Sequence, residues 1–321
     1  MEMTKEWLKK HCKEQNQYGT PALNDKLYLH FKGFHAIENL EEYTGLKALF
    51  LEGNAIDSLD GLQGLTNLKC LFIQQNCIPE IEEGVLDTLT ELSNFNLSNN
   101  NIRKLQNLQN LTCLHTLQLA NNFLPNIESI SHLRECPSIS VLDLSNNKIE
   151  GTYEELIELL KAMPNLSVVY LKGNPIVNNI KSYRKNLIAS MPKLTYLDDR
   201  PVFPNERRCA EAWYAAGGGK EGLEAERMER EKIAEEKKAE DDRQYQFMKK
   251  IVDRKPLVYK DGRYVRRDDI DVDGEDISDD EGSDYEEEEE PEELVAARKR
   301  LAELQAANRG VEKPVELIQA Q

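Results

Sequence analysis

The chain has no C-x-x-C pair: its six cysteines (Cys12, Cys70, Cys77, Cys113, Cys136, Cys209) are scattered singly, which gives neither a zinc site nor a disulfide framework. Its five histidines (His11, His30, His35, His115, His132) are equally dispersed, with no cysteine or acid at ligand or catalytic spacing. No apolar run is long enough to cross a bilayer, and no apolar leader opens the sequence, so the expectation is an intracellular chain. Gly217-Gly-Gly-Lys220 lacks the remainder of a phosphate-binding loop and any strand before it; it reads as a flexible hinge. Positive charge is also short. The net charge of −17 divides into −5 over residues 1–200 and −12 beyond, the opposite of what direct nucleic-acid binding needs. The expectation is a protein that is not an enzyme, with no cofactor, metal, membrane or nucleic-acid partner.

What the chain does have is one recurring phrase. Leu46-Lys-Ala-Leu-Phe-Leu-Glu-Gly-Asn-Ala-Ile56 reads L-x-x-L-x-L-x-x-N-x-I, and it returns at Leu68–Ile78, Leu92–Ile102, Leu114–Leu124, Ile139–Ile149 and Leu166–Ile176. This is the leucine-rich-repeat signature. Alternating apolar residues make a short strand with one buried side, and stacked repeats bury those sides in a continuous core. The six asparagines (Asn54, Asn76, Asn100, Asn122, Asn147, Asn174) stand where each chain turns off its strand; there an amide can pair backbone groups that the turn leaves open. They are structural. The spacing lengthens from Leu49 and Leu71 to Leu142 and Val169, so the late repeats have room for a helix, as over Thr152–Ala162. The fold class is α/β: a solenoid of six full repeats, a degenerate first repeat and a C-terminal cap.

Partner contacts then fall to the residues between the leucines, which face outward on the concave sheet. One column runs Tyr28, Phe50, Phe72, Asn96, Gln118, Asp143, Tyr170; the next includes His30, Glu52, Gln74 and Lys172. Aromatics are only 7% of the chain, yet three open the first column. Stacked at a strand spacing of about 5 Å, they make an apolar ridge suited to a protein partner, unless the N-terminal helix or the tail covers them.

The ends differ from the middle. Residues 1–26 are a lead-in with a capping helix from Thr4, its N-cap, and with Trp7 and Leu8 on its apolar side. The repeats occupy 27–182, the first carrying Lys32 in place of Asn. Residues 183–202 form the cap, with Tyr183, Leu187 and Ile188 on one helical face. A charged helical extension fills 203–267. The tail, 268–321, begins with an acidic stretch free of Lys and Arg up to Glu293, cannot bury enough apolar surface to order itself, and ends in a short helix over Glu292–Ala307. Ser278 and Ser283, each followed by acids, fit an acid-directed kinase weakly.

Repeats and cap alone look like several families, among them phosphatase-regulating, spliceosomal and axonemal dynein light-chain proteins. The flanks narrow the choice. TKEWLKKHCKEQ, LNDKLYLHFKGF, IENLEEYTGLKALFLEGN and LKCLFIQQN, with LDDRPVFPNERRCAEAW after the cap, resemble the leucine-rich-repeat axonemal dynein assembly factors over residues 3–215. The resemblance implies a monomeric, non-catalytic scaffold. It would act in the cytoplasm, with chaperones and other assembly co-factors, on dynein subunits bound for cilia or flagella. On this reading the concave residues, with Arg200, Phe203 and Trp213 after the cap, hold the partner. A regulatory subunit of a phosphatase or a spliceosomal scaffold is the alternative.

Overall fold

In a computed structural model, which describes residues 1–252, 257–260 and 263–266, each leucine phrase becomes one three-residue strand. These are β1 Lys26–Tyr28, β2 Ala48–Phe50, β3 Cys70–Phe72, β4 Asn94–Asn96, β5 Thr116–Gln118, β6 Val141–Asp143 and β7 Val168–Tyr170. They lie parallel in chain order, and the register pairs like with like: Leu27, Leu49, Leu71, Phe95, Leu117, Leu142 and Val169 form one buried row. Tyr28, Phe50 and Phe72 consequently fall side by side on the other face.

The early connections hold only turns. The later ones hold a 3₁₀ helix, Glu128–Glu135, and then α2, Tyr153–Lys161. Helix α2 begins at a capping box, Thr152 and Glu155 each accepting from the other's backbone N–H, and it stops before Pro164 as its sequence implies. Solenoids of this class curve with the strands on the concave side, because such returns are bulkier than a strand.

The asparagines perform the expected task. In Asn100, Oδ1 accepts from Ile78 N at 3.1 Å, while Nδ2 donates to Ile73 O at 3.1 Å and Leu97 O at 3.0 Å. Asn76, Asn122, Asn147 and Asn174 repeat the pattern and are buried. Asn54, half-buried, accepts from both Lys32 N and Phe34 N, so the first repeat, which lacks its own asparagine, is held by that of the second.

Both ends of the sheet are closed. At the start, α1 (Lys5–Glu14) is capped by Thr4, whose hydroxyl accepts from Trp7 N. It buries Leu8, His11 and Cys12. His11 Nε2 donates to Tyr28 O at 2.6 Å and Gln17 Nε2 to Lys26 O at 2.7 Å, pairing carbonyls of β1 that a bare edge would expose. Trp7 stacks on His11 and meets Phe34 edge-on. At the far end come α3 (Pro175–Asn179), α4 (Tyr183–Ser190) and β8 (Tyr196–Leu197), which is parallel to β7. Then β9 (Arg200–Pro201) turns antiparallel. In α4, Leu187 and Ile188 are buried and Tyr183 packs on the core.

Helix α5 (Pro204–Ala215) and the first part of α6 (Gly219–Val252) belong to the repeat unit, which extends from Met1 to Glu229. From Arg230 the chain belongs to a second unit. There α6 continues as the expected charged helix, but the helical reading of residues up to 267 needs correction. Leu257–Lys260 (β10) and Arg263–Arg266 (β11) pair as antiparallel strands. Their alternating β-prone residues favour a strand over a helix. The acidic tail, Ser278, Ser283 and the helix expected over Glu292–Ala307 lie outside the described residues.

Replacing Asn100 with Ala orphans the buried Ile78 N–H, while Ile73 O and Leu97 O keep one donor each, from Asn76 and Asn122. Unfolding in urea should show a loss of about 1–3 kcal/mol, the cost of one strongly desolvated group left unpaired. A loss under about 0.5 kcal/mol would contradict the role assigned to the asparagine row.

Candidate functional site: the concave face and the helix behind the cap

The three aromatics of the concave column form a ladder. Tyr28 and Phe50 stack with centroids 4.9 Å apart and planes 20° from parallel; Phe50 and Phe72 do so at 4.9 Å and 10°. All three are half-buried by one another and remain partly open to solvent. Face-to-face stacking along the sheet leaves ring edges, not faces, toward a partner. Beside them, at the C-terminal ends of the same strands, stand His30, Glu52 and Gln74. His30 Nδ1 lies 3.8 Å from Glu52 Oε1, beyond hydrogen-bond length. Glu52 Oε2 and Gln74 Oε1 make no hydrogen bond.

Further along, the face is polar and largely satisfied by local bonds. Asn96 Oδ1 accepts from Ser98 N at 3.0 Å, and Asp143 Oδ1 accepts from the backbone and hydroxyl of Ser145 at 2.9 and 2.6 Å. Gln118 lies between them in register. At the last strands Tyr170 meets Tyr196 at 5.8 Å, and Lys172 is paired with Asp199. The sequence-derived column is therefore one continuous row whose apolar part is its N-terminal third.

The residues expected behind the cap separate into two groups. Arg200 and Phe203 are exposed, Phe203 at 62%. Trp213 is not available in the same way: it is 8% exposed, and its reading as a partner contact is corrected here. The reason lies in the glycines read as a hinge. Gly217, Gly218 and Gly219 all take left-handed backbone, and they turn α5 into α6 around the indole. A Cβ on Gly222 would lie 2.8 Å from Trp213 Cδ1, and one on Gly218 would lie 3.0 Å from Cζ2. Lys185 Nζ covers the ring at 5.6 Å and pairs with Glu226. The stretch is a packed turn.

Two arginines that sequence reasoning passed over hold α5 in place. The Arg184 guanidinium grips Glu206 with two bonds, 2.6 and 2.7 Å, and donates to Leu197 O and Pro201 O. Arg207 donates to Ile188 O in the last turn of α4 and to Met191 O and Leu194 O in the chain beyond it. Asp198, left-handed at φ 50°, accepts from Leu171 N at 2.7 Å and Lys172 N at 2.9 Å, so a carboxylate does for the last repeat what the asparagines do for the others. Burial, together with this carboxylate, pushes the Tyr183 hydroxyl far above its ordinary range. The fork from Arg184 holds the Glu206 carboxyl below its usual value, burial opposing only in part. These residues explain LDDRPVFPNERRCAEAW as a structural lock, a role that hydrophobic periodicity could not reveal.

Family patterns described as leucine-rich repeat match residues 44–102 and 87–226. The leucine-rich repeat-containing protein ODA7 of Chlamydomonas reinhardtii is 47% identical over 306 residues, covering 94% of this chain and 67% of the algal protein. The chain belongs to the ODA7 family. The human relative, dynein axonemal assembly factor 1, is 56% identical over 227 residues, or 71% of this chain. The chain spans only 31% of the length of that human family member. Among solved structures, an internalin from Listeria monocytogenes aligns over 50% of each chain at 23% identity and a TM-score of 0.39. Among the described residues, no cluster of three or more His, Cys, Asp or Glu could hold a metal ion, and no helix is long and apolar enough to cross a membrane.

Two outcomes follow for the lock. Glu206, with its folded value lowered from 4.5, contributes stability that is present above the unfolded value and lost as pH falls below it. Glu206→Gln should therefore flatten the decline in thermal midpoint between pH 6 and about 3.5; an unchanged profile would exclude the linkage. Gly222→Val, forced against Trp213, should lower the midpoint by several degrees and raise indole fluorescence quenching by iodide.

Proposed function

We propose that this chain is a non-catalytic scaffold for the assembly of axonemal dynein arms, acting in the cytoplasm before the arms enter cilia or flagella. The names of its relatives, ODA7 and dynein axonemal assembly factor 1, supply the process. The aromatic ladder of Tyr28, Phe50 and Phe72 is the observation that carries the mechanism. An apolar ridge on an otherwise polar open sheet has no packing task inside the repeat unit, and such patches rimmed by polar groups are where proteins bind proteins. The partners on this reading are dynein heavy or intermediate chains together with chaperones and assembly co-factors. Exposed Arg200 and Phe203 extend the surface, and the strongly acidic C-terminal sequence keeps a complex of large, partly folded subunits soluble.

Binding here needs no chemistry at a pocket. The concave face holds one segment of a client along several strands at once, so that many weak contacts act together and the client is kept from aggregating while its other subunits arrive. Release is set by competition from those subunits.

Tagged protein recovered from the cytoplasm of ciliated cells should carry dynein heavy or intermediate chains together with chaperones, identified by mass spectrometry. Replacing Phe50 and Phe72 together with Ser should reduce that capture at least tenfold while the thermal midpoint moves little, because both side chains are only half-buried. Undiminished dynein capture by the double variant would remove the concave face from the mechanism. Recovery of a phosphatase or of spliceosomal proteins without dynein would replace the assembly role.

A further inference from the structure

Phe31 departs from every other repeat. Directly after each concave strand the chain passes through one left-handed residue: Gly53, Gln75, Asn99, Asn121, Asn146 or Gly173 in the later repeats, and Phe31, at φ 53°, in the first. Glycine and asparagine tolerate that region; a bulky aromatic in it is an outlier. The surroundings enforce it. Phe31 N donates to Glu52 O at 2.9 Å, and Lys32 N and Phe34 N both donate to Asn54 Oδ1. Strained backbone of this kind persists only where the fold over-determines it, and it gathers at functional sites.

The strain gains no burial in return. At 67% exposure Phe31 is the most exposed large apolar side chain among the described residues. Its ring rests on Gly53, where a Cβ would lie 2.2 Å from ring carbons, so the second repeat is shaped to carry it. It meets His30 edge-on at 5.8 Å, and His30 in turn meets Tyr28, the first rung of the ladder, at 6.3 Å. Next to it stand acceptors without donors. Glu52 Oε2 and Gln74 Oε1 make no hydrogen bond, and the His30 Nδ1 atom stops 3.8 Å short of Glu52 Oε1.

We infer that Phe31 anchors a binding site for a segment of a client protein in which an apolar side chain adjoins an Arg or Lys. The apolar group packs between the Phe31 ring and the ladder; the cation supplies the donors that Glu52 and Gln74 lack. Charge complementarity selects a basic client segment. The inference rests on the concave-face reading and adds to it a residue, a side of the sheet and a chemistry.

Overlapping peptides covering axonemal dynein heavy and intermediate chains, probed with the full chain, test it. Phe31→Asn keeps the left-handed backbone at ease and removes the ring. It should weaken the bound peptides at least tenfold while leaving the thermal midpoint unchanged or higher. Glu52→Gln should weaken the same peptides, and should have no effect on versions whose Arg or Lys is replaced by Gln. A lower midpoint with undiminished binding in Phe31→Asn would make the ring a packing element and overturn the proposal. So would bound peptides indifferent to their basic residue. If the Phe50/Phe72 double variant loses the peptides and Phe31→Asn keeps them, the ladder stands and the anchor falls. If every variant keeps them, or the wild-type chain binds none, both readings fall. A dimer seen in sedimentation and dissolved by Phe31→Asn would make the occupant a second copy of this chain, which also overturns a foreign basic segment.

Discussion

A parallel sheet of three-residue strands leaves most of its backbone outside the ladder, and the molecule depends on how the resulting turns are paired. From the second repeat on, one carboxamide per repeat does this. Its oxygen takes an N–H from the repeat before, and its nitrogen gives to carbonyls of both repeats. No other neutral side chain of that length offers both functions. Neighbouring repeats are thereby coupled through polar bonds in an apolar interior, where an unpaired partner is costly. The leucines supply the driving force, while the amides fix spacing and register, and with them the alignment of every residue on the open face. The 4.9 Å separation of the aromatic rungs is a consequence of that alignment.

At the two ends no neighbour exists, and other polar side chains take over from the asparagine row. His11 and Gln17 close β1; Asp198, Arg184 and Arg207 close the last repeat and fasten α5. Guanidinium groups suit this position because each one offers several donors in a fixed fork to a cluster of carbonyls.

The repeating part of the fold was readable because burial imposes a period, and a period survives in the one-dimensional chain. Strand positions, the face of each residue, the asparagine roles, helix α2 and its stop, and the Thr4 cap all came from that. The departures have a common cause in contacts between residues far apart in sequence. Trp213 looks like a surface aromatic until Gly218 and Gly222 fold around it. Arg184 and Glu206 show no pattern until α4 and α5 meet. Phe31 is unremarkable until the degenerate first repeat is placed in register and its position coincides with the left-handed residue. The β10–β11 pairing was legible and missed: Leu257-Val-Tyr-Lys and Arg263-Tyr-Val-Arg flank an Asp-Gly pair, a strong sequence cue for a hairpin.

The reversal of direction at β9 sets a limit of another kind. A parallel array can in principle grow without end, since each edge is a template for the next strand. Here one edge is sealed by side chains and the other is followed by a strand running the wrong way for a further repeat. The open face is thus a ruler of fixed length. Eight parallel strands from β1 to β8 at about 4.8 Å span roughly 34 Å. That distance matches about ten residues of extended chain at ~3.3 Å each, or about twenty-two of helix at ~1.5 Å each. On the reading proposed above, a client is measured by how much of that length it fills, by length as well as by chemistry.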